Sequence, residues 1–216
     1  MAKDEFALRR ERMVVEQLAG RGIHDARVLT VMGSVLRQCF IPADDLAWAY
    51  ADGPLPIGYG QTISQPYIVA LMTELLGPQP ADRVLEVGGG CGYQAAVLGE
   101  LANEVHTVEL IPELAQQAGK TLAELGYTHV HVHAGDGSLG WPDAAPYNRI
   151  LVAAAAPRAP QPLLDQLAEE GQLVIPVGAR NVQHLEVWKR TGKEFKCRLG
   201  LEVCFVPLRG QFGWKE

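Results

Sequence analysis

The chain has 216 residues, 48% of them hydrophobic and 20% charged, which suits one sizeable α/β core and excludes a disordered chain. A formal charge of −6 argues against nonspecific binding to nucleic acid or to anionic membranes. Four cysteines without a CxxC pair, a start charged from Lys3 onward and no long apolar run predict a cytoplasmic protein with no membrane partner.

Phe6, Met13, Val14 and Leu18 recur at helical spacing and predict a helix over 5–19. A second helix is expected from Asp25, a suitable N-cap, with Val28, Leu29 and Met32 on its apolar side. The Pro/Gly-rich run 53–60 cannot be regular helix, and a third helix spans 66–76. From there strands and helices alternate. Strands are expected near 84–87, 104–109, 129–134, 149–155 and 172–177, with helices near 92–102, 112–125 and 160–169. Alternating runs over 183–190 and 195–206 add strands at one edge. The predicted fold is a doubly wound, mostly parallel Rossmann-like α/β sheet over 79–216. Residues 1–78 form a helical extension, and the whole is one compact domain.

The run Val84 to Tyr93 reads as a buried strand, a glycine-dense turn and a helix start. Gly88, Gly90 and Gly92 give G-x-G-x-G, while Tyr93 stands where the dinucleotide fingerprint wants its third glycine. Glu86 inside the strand end would repel a pyrophosphate but suits a cation, and S-adenosyl-L-methionine carries a sulfonium and an ammonium. Glu109, about 20 residues beyond Gly88, has the spacing of an acid that accepts from ribose hydroxyls. Asp136, between Gly135 and Gly137 at a third strand end, can face the exocyclic amine of adenine. Three acids after three successive strands point to adenosylmethionine.

In the extension, 57–66 combines a glycine turn with hydroxyl and amide side chains ahead of Pro66. On local sequence alone, Ser64 is explained as a helix cap. The combination of Pro54 to Gly58, Gly60 to Pro66, Gly92-Tyr93-Gln94 and Gly135-Asp136-Gly137 resembles the protein-L-isoaspartate O-methyltransferase family. So do Ala153 to Pro157, Leu173 to Gly178 and Phe205 to Leu208, in collinear order over nearly the whole chain.

That resemblance implies methyl transfer from S-adenosyl-L-methionine to the free carboxylate of L-isoaspartyl residues in damaged proteins or peptides. The ester then collapses to a succinimide, whose hydrolysis returns some normal aspartate. It also implies that Ser64 is the active-site serine, with Gln61, Thr62 and Ile63 beside cofactor and substrate. Glu86, Gly88, Gly90, Glu109, Asp136 and Gly137 correspond to the cofactor region. Since a carboxylate is already anionic at neutral pH, no strong general base is needed, and Ser64 is expected to position rather than attack.

The chain departs from the family loop, usually Gly-Thr/Ser-Gly-Ser-Gly, by having Gly89 and Cys91. Weaker hydrogen bonding and extra backbone freedom are expected there. Asn148 replaces a common aspartate and Leu36 a usual proline. His129, His131 and His133 share a strand face, but same-face residues about 6.8 Å apart fit poorly round one ion, so no metal site is expected. A monomer is expected. Two other readings stand beside repair: a carboxylate methyltransferase of a biosynthetic peptide or small molecule, and a cofactor-binding module without catalysis.

Overall fold

The computed structural model describes residues 2–215. The first helix, α1 (Ala2–Arg12), does not continue as a regular α-helix to residue 19 as expected. It widens into a π-helical segment, Met13–Leu18, where the N–H of Ala19 reaches back to the carbonyl of Val14, then tightens over Ala19–Arg21. The reason is packing. Met13 and Leu18 are five residues apart and both fully buried, a spacing that an i→i−5 turn places on one side. Helix α2 (Ala26–Ser34) starts as expected at Asp25, whose carboxylate accepts from the N–H of Arg27.

A short hairpin, β1 (Leu55–Gly58) and β2 (Gln61–Ile63), carries the chain to α3 (Pro66–Leu76). Then come β3 (Arg83–Val87), α4 (Tyr93–Gly99), β4 (Glu104–Glu109), α5 (Pro112–Glu124), β5 (Val130–Ala134) and β6 (Tyr147–Val152). Helix α6 (Gln161–Asp165) and the strands β7 (Leu167–Ala179), β8 (Val182–Thr191) and β9 (Glu194–Val203) follow. The large sheet has the order β5-β4-β3-β6-β7-β8-β9; its first five strands are parallel and the last two antiparallel. It is the doubly wound, mostly parallel architecture expected.

Several boundaries differ, two of them for clear reasons. The helix expected over 160–169 stops at Asp165 because Leu167, fully buried, already pairs with Tyr147 of β6. A bulge absorbs the next residues before Gln172 aligns with Arg149, and Glu170 takes a φ of 58° within it. The strand expected over 149–155 ends at Val152, and Ala155 and Ala156 bridge instead to Pro207 and Val177.

The sheet separates two apolar layers. One combines Met13 and Met32 of the extension with Met72 of α3, Leu98 of α4, Leu122 of α5 and the sheet residues Val84, Val105 and Val174. The other packs Leu163 and Leu164 of α6, Tyr147 and Leu208 against Leu85, Val87, Ile150 and Leu173. No helix among the described residues is long and apolar enough to cross a membrane.

Candidate active site

Strand order reverses beside β3, whose neighbours are β4 and β6. In such sheets the crevice beyond the carboxyl ends at that point takes the ligand. The glycine turn sits there. Gly88, Gly90 and Gly92 all have positive φ, of 87°, 53° and 90°. The N–H of Gly88 donates to the Val108 carbonyl at 2.9 Å, and that of Gly90 to Glu109 Oε2 at 2.8 Å. The other Glu109 oxygen accepts from the N–H of Ile111 at 2.9 Å. The carboxylate is thus fixed at the cleft wall by two backbone donors, each oxygen keeping a further acceptor direction.

Gly89 has a different reason for being glycine. A Cβ there would lie inside contact distance of Thr107 Oγ1. The expected gain in backbone freedom is therefore not its role; close approach to Thr107 is. That hydroxyl donates to Glu86 Oε2 at 2.6 Å. Glu86 is fully buried, and burial pushes its carboxyl up to about 8, with the nearby charge of Glu109 adding to the shift and the Thr107 hydrogen bond opposing it. Its second oxygen, Oε1, has no hydrogen-bond partner among the described residues. Cys91 is buried too, and burial pushes its thiol up to about 11, so it stays protonated.

One cleft, with a cavity volume of about 70 Å³, is bordered by Gln61, Thr62, Gly88, Gly90, Glu109, Gly137 and the 206–209 segment. A second cavity of about 40 Å³ is bordered by Thr62, Ile63, Ser64, Glu86, Gly88, Gly89, Gly90 and Gln94. An outer groove of about 520 Å³ runs past Pro54, Thr62, Ser64, Gln65 and residues 202–206. Thr62 borders all three spaces, and Ser64 borders both the second cavity and the outer groove. The structure therefore brings together Ser64, Gln61, Thr62, Ile63, Glu86, Gly88, Gly90, Glu109 and Gly137.

Asp136 is the exception. Its carboxylate does not border the cleft that Gly137 lines but an adjoining one with Trp141 and Gln166. Oδ1 accepts from the N–H of Ser138 at 2.9 Å and from its hydroxyl at 2.6 Å, while Oδ2 accepts from the N–H of Gln211 at 2.7 Å. These contacts tie the end of β5 to the C-terminal segment. An acid between two glycines at a strand end looks the same in sequence whether it faces a ligand or latches a distant backbone.

Nor does Ser64 cap a helix. Helix α3 begins after Gln65 with no side-chain cap, and Ser64 lines the cavity and the groove instead. Its carbonyl accepts from Arg37 Nη2 at 2.8 Å, and Arg37 Nε donates to the Ala49 carbonyl at 2.9 Å. Arg37 is fully buried, its guanidinium 4.8 Å from the Tyr93 ring centre, and burial lowers its affinity for its proton. Sequence reasoning did not single it out as a site-builder. The available signal was a charge inside the mostly apolar stretch Val35 to Phe40.

A family model described as protein-L-isoaspartate(D-aspartate) O-methyltransferase matches residues 9–213. A protein-L-isoaspartate O-methyltransferase of Methanoregula boonei is 55% identical over 207 residues, covering 96% of this chain and 95% of the relative. Its counterpart from Methanoculleus marisnigri is 52% identical over 216 residues, covering all of this chain and 98% of the relative. A solved protein-L-isoaspartate O-methyltransferase superposes with TM-score 0.85 at 28% identity, over 94% of this chain and 67% of that one. A Plasmodium falciparum candidate for the same activity, solved with S-adenosyl-L-homocysteine, gives TM-score 0.79 at 26% identity over 93% and 98%. With sequence match, fold and crevice in agreement over nearly its full length, the chain belongs to the protein-L-isoaspartate O-methyltransferase family.

Proposed function

We propose that this protein methylates the free carboxylate of L-isoaspartyl residues in damaged proteins and peptides, with S-adenosyl-L-methionine as donor and Ser64 positioning the acceptor. The observation that carries the reading is the shared border at Ser64: one side faces the cavity of Glu86 and Gly88–Gly90, the other the open groove. Donor and acceptor can meet across that border, which Thr62 shares. An open groove also suits an extended peptide better than a closed pocket would.

The residues present fit the donor. Glu86 Oε1, buried without a partner among the described residues, offers an acceptor to a cationic group, and Glu109 offers two oxygens at the mouth of the cleft. Gln61, Thr62, Ile63, Gly88, Gly90 and Gly137 supply walls and close backbone. The Asp136 carboxylate acts one step away, by holding the segment 206–209 that forms another wall. When bound, S-adenosyl-L-methionine supplies an electrophilic methyl, which an acceptor oxygen takes as the carbon–sulfur bond breaks and its electron pair stays on sulfur. The chain's own contribution is placement. The Ser64 hydroxyl and neighbouring N–H groups hold the acceptor carboxylate, and the apolar wall of Ile63, Ile68 and Met72 excludes water. The protein acts as a cytoplasmic monomer, without nucleic-acid or membrane partners; four free cysteines and the charge of −6 support this.

Incubation with methyl-labelled S-adenosyl-L-methionine and paired Asp and isoAsp peptides tests the reading. Label confined to the isoAsp peptide supports it. Label on neither peptide, with the donor bound, would make the protein a binding module; label on another carboxylate compound would make it a tailoring enzyme. Ser64→Ala should lower kcat by about 10- to 100-fold and leave donor Kd within about twofold. Equal turnover in the two proteins would remove Ser64 from the mechanism.

A further inference from the structure

We propose that Glu104, His106 and His131 form a binding site for a zinc-class divalent transition-metal ion, joining β4 to β5 away from the methyl-transfer cleft. The three side chains come together through the sheet, not along one strand. Glu104 and His106 are two residues apart on β4 and so share a face, and the parallel register sets His131 directly opposite His106. Glu104 Oε1 lies 3.2 Å from His106 Nε2 and 3.8 Å from His131 Nε2, and one ligand atom from each residue falls within 4.8 Å of the other two. Ligands about 2.0–2.1 Å from a tetrahedral zinc stand about 3.3–3.4 Å apart, so small rotations of side chains complete the site.

The partners around the three residues are those a metal site needs. His106 turns its other nitrogen, Nδ1, to His133 Nε2 at 3.0 Å, which can take the Nδ1 proton and leave the Nε2 lone pair for the ion. His133 is itself held by stacking on Trp141, ring centres 4.0 Å apart. The second Glu104 oxygen accepts from Arg83 Nε at 2.7 Å. His106 is buried while the side chain of His131 is 45% exposed, so the ion has a route in and a fourth position open to water.

Charge decides the kind of ion. The Arg83 cation cancels the Glu104 anion, so the site offers little net charge to a hard cation such as Mg²⁺ or Ca²⁺, which depend on oxygen donors. Two imidazoles and one carboxylate suit zinc and its neighbours. His129 takes no part, because its Nε2 faces the Gly99 carbonyl at 2.9 Å. The constellation runs across two strands, and only His131 of the one-strand triplet belongs to it. Position along β4 also separates the site from the methyl-transfer cleft, since Glu109 lies three residues, about 10 Å, beyond His106.

The test is thermal unfolding of the tag-free, EDTA-stripped chain with Zn²⁺ or Mg²⁺, alongside visible absorption with Co²⁺. At a hundredfold excess over Kd, Zn²⁺ should raise Tm by about 5–10 °C, with no effect from Mg²⁺. Co²⁺ should give the intense visible band of a four-coordinate site. His131→Gln should abolish both signals and keep the metal-free Tm, since that side chain is half exposed. Glu104→Gln serves as a second loss-of-ligand variant, and His184→Gln, an exposed histidine elsewhere, should keep both signals. No Zn²⁺-dependent shift, or a shift that survives both His131→Gln and Glu104→Gln, would overturn the site.

Discussion

At the scale of single residues, a hydroxyl–carboxyl pair lies beneath the glycine turn. Gly89 lies against Thr107, and Thr107 donates to Glu86. A methyl group at 89 meets that hydroxyl directly, so Gly89→Ala should cost about 1–3 kcal/mol in urea unfolding. With Thr107→Ala in the same chain the two costs should fall short of additive, because the clash is gone; strict additivity would show that the two residues do not touch. Glu86 gives the pH dependence. Its folded carboxyl is raised to about 8 by burial, above the ordinary value near 4.5. The sign follows: the folded state holds the proton more tightly, a contribution fully present below the ordinary value and lost as pH rises through about 8. Glu86→Gln should therefore gain stability relative to the parent from pH 5 to pH 9. A cationic ligand prefers the ionised form, so donor affinity should rise several-fold from pH 6.5 to 8.5 and level out in Glu86→Gln, as titration calorimetry can read. Asn148, at the common aspartate position, keeps the needed acceptor: its side-chain oxygen takes the N–H of Arg83 at 2.9 Å.

At the scale of elements, the segment bearing Ser64 is held from below by the 3₁₀ turn Arg37–Phe40. Arg37 spans from that turn to the carbonyls of Ala49 and Ser64. Arg37→Met keeps the approximate volume but strands two carbonyls in the interior, at about 1–3 kcal/mol each. Stability should fall by about 2–6 kcal/mol. At a temperature where the variant is folded, kcat should drop with donor Kd nearly unchanged, since the glycine turn belongs to other elements. A fall in donor affinity as large as that in kcat would show that Arg37 supports the turn instead. The bulge of β7 shows a related element-scale effect. Leu167 satisfies the β6 edge, and Gly171, where a Cβ would sit 2.8 Å from the Ala168 carbonyl, lets the strand resume its register.

At the scale of the molecule, the C-terminal segment crosses the crevice and closes one side of it. The N–H of Leu208 donates to the Ala155 carbonyl at 2.7 Å and that of Ala155 to the Val206 carbonyl at 2.8 Å. Asp136 holds the N–H of Gln211, and Ser138 Oγ accepts from Phe212 at 3.0 Å. Asp136→Ala should loosen this strap, seen as faster amide exchange at Gln211 and Phe212 and about tenfold weaker donor binding. Unchanged exchange at both amides would show that the strap is held by its bridges to Ala155 alone.

The sequence by itself determined the sheet class, the glycine turn, the carboxylates at Glu86 and Glu109 and the family, because these rest on local patterns: buried apolar runs, glycine spacing and collinear motifs. Helix α3 and strand β4 could be read to the residue for the same reason. Tertiary structure alone decided the π-helical segment at Met13–Leu18, the early end of α6, the latch role of the Asp136 carboxylate and the burial of Arg37. Each of these depends on a partner distant in the chain or on the depth of a core, and local spacing records neither beyond a weak trace such as the charge at Arg37.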